Sequence, residues 1–216
     1  MRLVIGGPTR DTVPASFAVD LAQLYAHTLR WDAGAVWLRF IQSTYVHVGR
    51  NAVLAEAMQR QATHVLWLDT DMAFPPETAL RLAAHDRPIV ACNCVMRDPR
   101  LLCTAERAGA RVETRPDSTG LEAVDSIGFG VLLMQADVVT DLQTPWFRHG
   151  VTETGADIGE DRMVCRALRA AGHAIWIDHD LSKEIGHIGQ YTYRPARETQ
   201  VPVQRGSLDR PAGLYP

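Results

Sequence analysis

Apolar and polar positions follow two periods that alternate along residues 1–95. Short apolar runs, typical of buried strands, lie at residues 2–7, 35–41, 64–69 and 88–96. Between them, apolar residues recur at helical spacing, from Ala15 to about His27 and from about Gly49 to Gln61. This alternation predicts an α/β fold, with a mainly parallel sheet flanked by helices.

The second half of the chain has a less regular pattern. Residues 97–123 are polar, with hairpin-like pieces. The next apolar run, 124–135, predicts a strand interrupted by Gly128 and Gly130. The run DVVTDL then predicts a short helix with Asp137 as its N-cap.

Other helix ends and the domain boundary are marked by proline and glycine. Pro76 suits the first turn of a short helix, and GEDRMVCRALRAAG predicts a helix with Gly172 as its C-cap. Past Gly189, after a last strand AIWID, core-like patterning ceases. We therefore expect a folded domain over residues 1–190 and a C-terminal tail over 191–216.

Composition is that of a soluble globular protein, with 46% apolar and 22% charged residues. No apolar run approaches the roughly 20 residues that span a bilayer, and no signal peptide follows Met1, so we expect a cytoplasmic location. The net charge of −3 does not favour a polyanionic partner. Two segments are nevertheless arginine-rich, residues 96–115 and 193–211, and a GC-rich genome would account for both.

The four cysteines do not show the spacing of a zinc site. Cys92 and Cys94 are two apart in an apolar run, so both face the same side of a strand. We expect reduced, packed thiols.

Two carboxylates end the third apolar run, in the sequence THVLWLDTDMAF. Asp69 and Asp71 repel each other, and in parallel sheets ligands bind beyond the carboxyl ends of strands. The pair suits Mg²⁺ or Mn²⁺, with a diphosphate supplying further ligands. A solvated turn is the alternative.

Three further polar residues lie late in the chain. Glu160 and Asp161 begin a predicted helix, where ordinary capping would explain them. His187 lies in IGHIG, where the flanking glycines let the backbone approach a bound group. It is either a third metal ligand or a turn histidine.

Three segments together resemble the GT-A nucleotide-sugar glycosyltransferases, close to the inverting family 2. They are RNAVLAEAMQRQATHVLWLDTDMAF, VDSIGFGVLLMQADVV and GEDRMVCRALRAAGHAIWIDHDLSKEIGHIG. The resemblance covers about residues 1–190, which would form a GT-A catalytic domain with a Rossmann-like mixed sheet. It implies Mn²⁺ (or Mg²⁺) as cofactor and a nucleoside diphosphate sugar, with a UDP-sugar favoured, as donor.

The resemblance also implies roles for the donor-binding residues. Asp71 would be a direct metal ligand and His187 the later histidine ligand, while Asp69 would touch the ribose or the metal's water. The loop with Pro8, Thr9 and Arg10 would cradle the nucleoside. Arg50 would reach base or phosphate, with a surface salt bridge as its alternative, and Asn51 would cap its helix.

For the reaction itself, the resemblance implies inversion at the anomeric carbon. Asp161 resembles the catalytic base, and Glu160, in the same first turn, is the rival candidate. The stretch containing Gly128, Phe129 and Gly130 would border the acceptor pocket, with a bulged strand as its alternative. Trp146 is interpreted as a packed core residue, although stacking on a sugar or base is a second possibility.

The chain is short and lacks the membrane helices of many relatives, which argues against a lipid acceptor. Stand-alone domains of this kind occur in phages, where some modify hydroxymethylated bases in DNA. A DNA acceptor in the host cytoplasm is therefore one hypothesis, beside a saccharide or a protein side chain. Two rival functions remain, a haloacid dehalogenase-type phosphoryl transferase and a non-catalytic nucleotide-binding module. The oligomeric state is not predicted.

Overall fold

The structure, a computed structural model, describes residues 1–31, 35–98, 100–189 and the backbone of 192–193. Its strands are β1 (Arg2–Thr9), β2 (Ala35–Gln42), β3 (His64–Leu68), β4 (Met72–Ala73), β5 (Ile89–Ala91), β6 (Glu106–Arg107), β7 (Ala110–Arg111), β8 (Leu121–Val124), β9 (Val131–Gln135), β10 (Gly150–Val151), β11 (Asp157–Ile158), β12 (Ile175–Asp178), β13 (Gly186–Ile188) and β14 (Thr192–Tyr193). Its helices are α1 (Ala15–Trp31), α2 (Val46–Gln59), α3 (Thr78–Ala84), α4 (Glu160–Ala170), α5 (His179–Ser182) and a 3-10 helix, Ala136–Val139.

A seven-stranded sheet in the order β2-β1-β3-β9-β5-β12-β8 forms the centre of the molecule. Strand β1 pairs in parallel with β2 and β3, and β5 pairs in parallel with β12. Strand β9 runs antiparallel between β3 and β5, and β8 is antiparallel to β12 at one edge. Five of the seven strands therefore run the same way, and the predicted mixed, mainly parallel sheet is confirmed.

Two buried clusters, one on each face of the sheet, hold the helices against it. Alternate residues of β3 point to opposite faces, as the period of a strand requires. Val65 and Trp67 pack with residues of α2 and α4. Leu66 and Leu68 pack with residues of α1, α3 and α5. The helices lie on both faces, as the sequence predicts.

The glycine pair in β1 lets the neighbouring strands approach closely beside the site. A Cβ added at Gly6 would lie 2.0 Å from the carbonyl oxygen of Arg39, and one added at Gly7 would lie 2.2 Å from that of Leu68. No side chain fits at either position. The glycines therefore fix where Pro8 and the residues after it emerge from the sheet.

Some predicted boundaries are wrong. Helix α2 begins at Val46, before Gly49, and α1 extends to Trp31. The interrupted strand predicted over 124–135 is regular only as β9, because residues 125–130 are not regular strand and lead into the site instead. Strand β8 lies mostly before it, in the segment predicted as polar with hairpin-like pieces. Pro76 lies in a turn ahead of α3 rather than in its first turn.

Of the two predicted helix caps, one is wrong and one is confirmed. Asp137 lies inside the 3-10 helix, whose N-cap is Gln135 without a side-chain hydrogen bond, so the predicted cap is wrong. Gly172 is confirmed at the end of α4, since it has a φ of +91° directly after the C-cap Ala171. That left-handed conformation is open to glycine at little cost.

The tail predicted over residues 191–216 lies outside the described residues apart from the backbone of β14, so the domain division stays a prediction. All four cysteines are buried and free, as expected. None of the helices in the described part of the chain is long and apolar enough to cross a membrane.

Candidate active site

A cavity of about 730 Å³ lies where β1, β3 and β5 end and β9 begins. Every site residue predicted from the sequence lines it: Pro8, Thr9, Arg10, Arg50, Asp69, Asp71, Gly128, Phe129, Gly130, Glu160, Asp161 and His187. The fold thus brings together residues from both ends of the chain. Their individual roles stay predictions.

A small antiparallel sheet brings His187 to the two aspartates. Directly after Asp71, strand β4 pairs with β13, with Met72 opposite His187. The backbone N–H of Ile188 donates to the carbonyl of Asp71 at 2.6 Å. As a result, His187 Nε2 lies 3.3 Å from Asp71 Oδ2.

The hydrogen bonds of His187 fix which of its nitrogens faces the aspartate. Its Nδ1 lies 2.8 Å from the carbonyl oxygen of Val95, and because a carbonyl only accepts, Nδ1 carries a proton. Nε2 therefore faces Asp71 as a lone pair or as a second N–H. Burial lowers the pKa of His187, but its hydrogen bonds to Asp71 and Val95 outweigh burial and raise it. Burial raises the pKa of Asp71, but the hydrogen bond and charge of His187, together with the charge of Arg97 and a backbone hydrogen bond, outweigh burial and lower that pKa.

The pair Asp71 and His187 has the donor atoms that a divalent metal requires. A carboxylate oxygen and an imidazole nitrogen suit Mn²⁺, and the Nδ1 bond to a carbonyl is the support that metal-binding histidines usually have. Within the described ranges, no group of three or more His, Cys, Asp or Glu side chains could hold a metal ion. The two residues fit a metal whose other ligands come from substrate or water, as is common for Mg²⁺.

Arg50 holds Asp69 in place. Its guanidinium lies 3.1 Å from Asp69 Oδ1 and 3.0 Å from Glu160 Oε1, and its side chain is only 4% exposed. The rings of Phe129 and Phe147 lie 5.1 and 5.9 Å from it. Burial raises the pKa of Asp69 despite the arginine. Arg50 does form salt bridges, as the alternative expects, but its own side chain is buried rather than at the surface, while Asp69 keeps 35% of its side chain exposed.

The structure separates the two candidate bases at the start of α4. Glu160 is paired with Arg50 and lies 3.7 Å from His149 Nε2. Asp161 accepts the backbone N–H of Arg162 at 2.7 Å, and no cationic side chain among the described residues forms an ion pair with it. Burial raises the pKa of Asp161. Asp161 is the carboxylate whose second oxygen is available to a substrate.

Comparisons with known proteins identify similar folds. The family model for Anp1, a GT-A-like glycosyltransferase family, matches residues 44–108, which include α2, the two aspartates and β5. The structure of A197 from STIV superposes with a TM-score of 0.58 at 12% identity, covering 95% of this chain and all of A197. GalNAc-T7, solved with UDP, GalNAc and Mn²⁺, gives 0.56 at 10% identity, over 90% of this chain and 44% of that one.

The chain has the GT-A fold. The resemblance to GT-A glycosyltransferases is therefore confirmed, and the Anp1 match and the fold together point to a glycosyltransferase. The chain spans less than half of GalNAc-T7. No curated protein matches it.

In this GT-A fold the predicted acceptor stretch forms part of the cavity floor. The carbonyl of Gly130 accepts the backbone N–H of Asp69 at 3.0 Å. A Cβ at Gly130 would lie 3.3 Å from both Cys94 Sγ and Met72 Sδ. The Phe129 ring is buried beneath Arg50, so mainly backbone faces the cavity there.

Two further predictions concern residues that do not line the cavity, Asn51 and Trp146. Asn51 does not cap α2. Its side chain instead bonds the backbone of Phe147, donating to the carbonyl at 2.7 Å and accepting from the N–H at 3.1 Å. Trp146 is confirmed as packed against the core, with its Nε1 donating to the carbonyl of Val139.

Sequence reasoning missed several residues of the cavity wall, namely Ser43, Thr44, Thr70, Thr104 and Arg97. Arg97 Nη2 lies 3.2 Å from Asp71 Oδ2. The sequence does contain a signal for Arg97. It follows the apolar run of β5, so it lies beyond the same edge of the sheet as the two aspartates.

Proposed function

We propose that the protein is a metal-dependent, inverting glycosyltransferase that moves a sugar from a UDP-sugar to an acceptor hydroxyl. One observation carries this proposal: Asp161, a carboxylate without an ion-pair partner among the described residues, faces the same cavity as the Asp71–His187 pair. The GT-A fold supports the reaction class. The UDP and Mn²⁺ in the GalNAc-T7 structure support the choice of nucleotide and ion.

Asp71 and His187 would hold Mn²⁺ or Mg²⁺. Bound there, the ion would supply Lewis-acid neutralisation of the diphosphate that leaves the sugar. The nucleoside would lie against Pro8, Thr9 and Arg10, at the end of β1. Asp69, fixed by Arg50, would present its second oxygen to the ribose or to metal-bound water.

Asp161 would act on the acceptor. As the acceptor oxygen bonds to the anomeric carbon, the bond from that carbon to the diphosphate oxygen breaks on the opposite face. The proton of the acceptor hydroxyl passes to Asp161. Oδ1 of Asp161 already accepts the N–H of Arg162, which leaves Oδ2 to receive that proton. A positioned base contributes about 10²–10⁴-fold.

The described residues support the choice of donor more directly than the choice of acceptor. In the arginine-rich segment 96–115, Arg100, Arg107 and Arg115 pair with carboxylates, and Arg111 donates to a backbone carbonyl. These pairs offset much of its positive charge. The second arginine-rich segment lies outside the described residues except for backbone at Tyr193. Hydroxymethylated DNA therefore stays one acceptor hypothesis, beside a saccharide or a protein side chain, and the cytoplasmic location stays a prediction.

A two-step screen tests the proposal. Nucleotide sugars are first compared for thermal stabilisation with and without Mn²⁺, and UDP-sugars are expected to stabilise most. Hydroxymethylated DNA, simple sugars and peptides are then offered as acceptors. Stabilisation without transfer or hydrolysis would favour the non-catalytic binding module. Trapping of an aspartyl phosphate analogue by beryllofluoride would favour the phosphoryl transferase, which the GT-A fold does not support.

Removing either side chain of the Asp71–His187 pair should weaken metal binding. We expect Asp71→Asn and His187→Gln each to lower Mn²⁺ affinity by at least the 10–100-fold that loss of an outer-shell partner costs. Electron paramagnetic resonance of free Mn²⁺ measures this directly. His173→Gln, beyond the far end of α4, is the matched control. If Asp71→Asn and His187→Gln bind Mn²⁺ as tightly as His173→Gln and the wild type do, Asp71 and His187 are not the metal ligands.

A further inference from the structure

We propose that Arg97 exchanges partners during donor binding: it pairs with Asp71 before the donor arrives and with the diphosphate of the nucleotide afterwards. The proposal rests on the proposed function, since it assigns the group that recognises the donor's charge. It concerns a residue that lies outside the predicted set of site residues.

Arg97 and His187 both lie against one oxygen atom of Asp71. Arg97 Nη2 lies 3.2 Å from Asp71 Oδ2, and His187 Nε2 lies 3.3 Å from the same oxygen. A metal ion held by Asp71 and His187 must approach the lone pairs that Arg97 now faces. Metal and guanidinium are both positive, so the ion's arrival repels Arg97 as well as displacing it.

Arg97 forms no second ion pair within the described ranges, so no other carboxylate already holds its guanidinium. In the described part of the chain, Asp71 is the carboxylate in ion-pair contact with Arg97. The adjacent Asp98 is occupied by Arg100, through two side-chain contacts at 2.7 and 2.9 Å and a backbone N–H at 2.8 Å. Arg97 is 52% exposed and lines the cavity, so it can turn towards a bound group without repacking.

A nucleoside diphosphate donor brings negative charge into the cavity. A diphosphate held at the metal carries its oxygens next to Asp71, and the planar fork of an arginine matches such oxygens in pairs. Of the other arginines that line the cavity, Arg50 is buried and already holds two carboxylates. Arg10 lies at the end of β1, where the nucleoside is proposed to bind. Among the arginines of the described residues, Arg97 is therefore the one whose guanidinium is available to the diphosphate.

The proposal predicts effects of opposite sign on two ligands. Arg97→Ala removes the competitor for Asp71, so Mn²⁺ alone should bind more tightly, by up to about fivefold for a half-exposed ion pair. The same change removes charged hydrogen bonds to the diphosphate, so UDP with Mn²⁺ should bind about 10–100-fold more weakly. Uridine should bind unchanged. Paramagnetic resonance measures the first affinity and calorimetry the others.

Two further variants sharpen the test. Arg100→Ala removes an exposed arginine of the same loop that pairs with Asp98 instead, and it should leave all three affinities unchanged. Arg97→Lys keeps the charge but loses the fork, and its UDP affinity should fall between those of the wild type and Arg97→Ala. The proposal is overturned if Arg97→Ala binds UDP as tightly as the wild type does, or if its affinities for uridine and UDP fall equally. The proposed function stands in both cases. A wild type that binds no UDP at all overturns both, whatever Mn²⁺ does.

Discussion

Asp161→Asn should lower the rate of sugar transfer by about 10²–10⁴-fold, the contribution of a positioned general base. Asparagine keeps the size of the side chain and the acceptor oxygen for the N–H of Arg162, but it does not take a proton from the acceptor. Donor affinity should stay close to that of the wild type, because Asp161 is not among the residues proposed to hold the nucleotide. Initial rates at saturating donor, with UDP affinity measured in parallel, check both parts.

Asp157→Asn is the matched control, because Asp157 is an exposed carboxylate on β11, close to Asp161 in sequence. It should leave the rate unchanged. Glu160→Gln does not serve as a control, since it disturbs the ion pair with Arg50. Transfer at the normal rate by Asp161→Asn would remove Asp161 from the mechanism.

The pH dependence of Asp161 gives a second, independent check of this assignment. Burial raises the pKa of Asp161, so the folded protein binds that proton more tightly than the unfolded chain does. The contribution of Asp161 to stability is therefore full below its unfolded pKa and is lost as pH rises through the raised folded pKa. Asp161→Asn has no carboxyl to ionise, so it does not lose this stability as pH rises. Its melting temperature at neutral pH should therefore be higher than that of the wild type. Activity has the opposite trend, because only the ionised carboxylate acts as a base.

The sequence predicts well those features that depend on local pattern. The period of apolar residues places β1, β2, β3, β5 and β12, since each is a short run bounded by turn residues. The position of Asp69 and Asp71 after a buried strand places them at the ligand-binding edge of the sheet. Gly172 ends α4 because few other residues adopt its φ of +91°.

Features that depend on register between distant segments are not predictable in this way. His187 reaches Asp71 only because β13 pairs with β4 with Met72 opposite it, and the spacing of apolar residues does not specify that pairing. The resemblance to GT-A enzymes supplied the connection instead. Strand β8 is likewise not indicated by the pattern, because Leu121, Glu122 and Ala123 fall in the polar segment before the apolar run that contains β9.

The partners of charged residues were the hardest to predict. Arg50 and Glu160 are 110 positions apart and meet in the interior, and the sequence around Arg50 does not indicate burial of a charge. In the sequence, Arg97 is one of several arginines in a polar segment. Its contact with Asp71 depends on where the loop after β5 turns.

Arg50→Met should destabilise the protein more than any other single change discussed, by about 1–3 kcal/mol at neutral pH, because Glu160 is only 13% exposed whereas Asp69 keeps 35% of its side chain exposed. Methionine still fills the space between Phe129 and Phe147, so the loss comes from charge. Asp69 and Glu160 would be left as carboxylates without their shared cation. Unfolding in denaturant measures the change, provided that the dependence on denaturant concentration keeps the same slope.

Arg60→Met, at the C-terminal end of the same helix, is the matched control. Arg60 pairs with Glu56 on an exposed face at 2.8 Å and lies over the ring of Trp37, and such exposed pairs contribute about 0–1 kcal/mol. The loss of unfolding free energy in Arg50→Met should become smaller as pH falls. Burial already raises the pKa of Asp69, and removing Arg50 raises it further. Protonation of Asp69 then removes the unpaired charge. If Arg50→Met is no less stable than Arg60→Met, the bridge that Arg50 forms between Asp69 and Glu160 does not stabilise the fold. If Arg50→Met has also lost nucleotide binding, Arg50 contacts base or phosphate, as the sequence alone suggests.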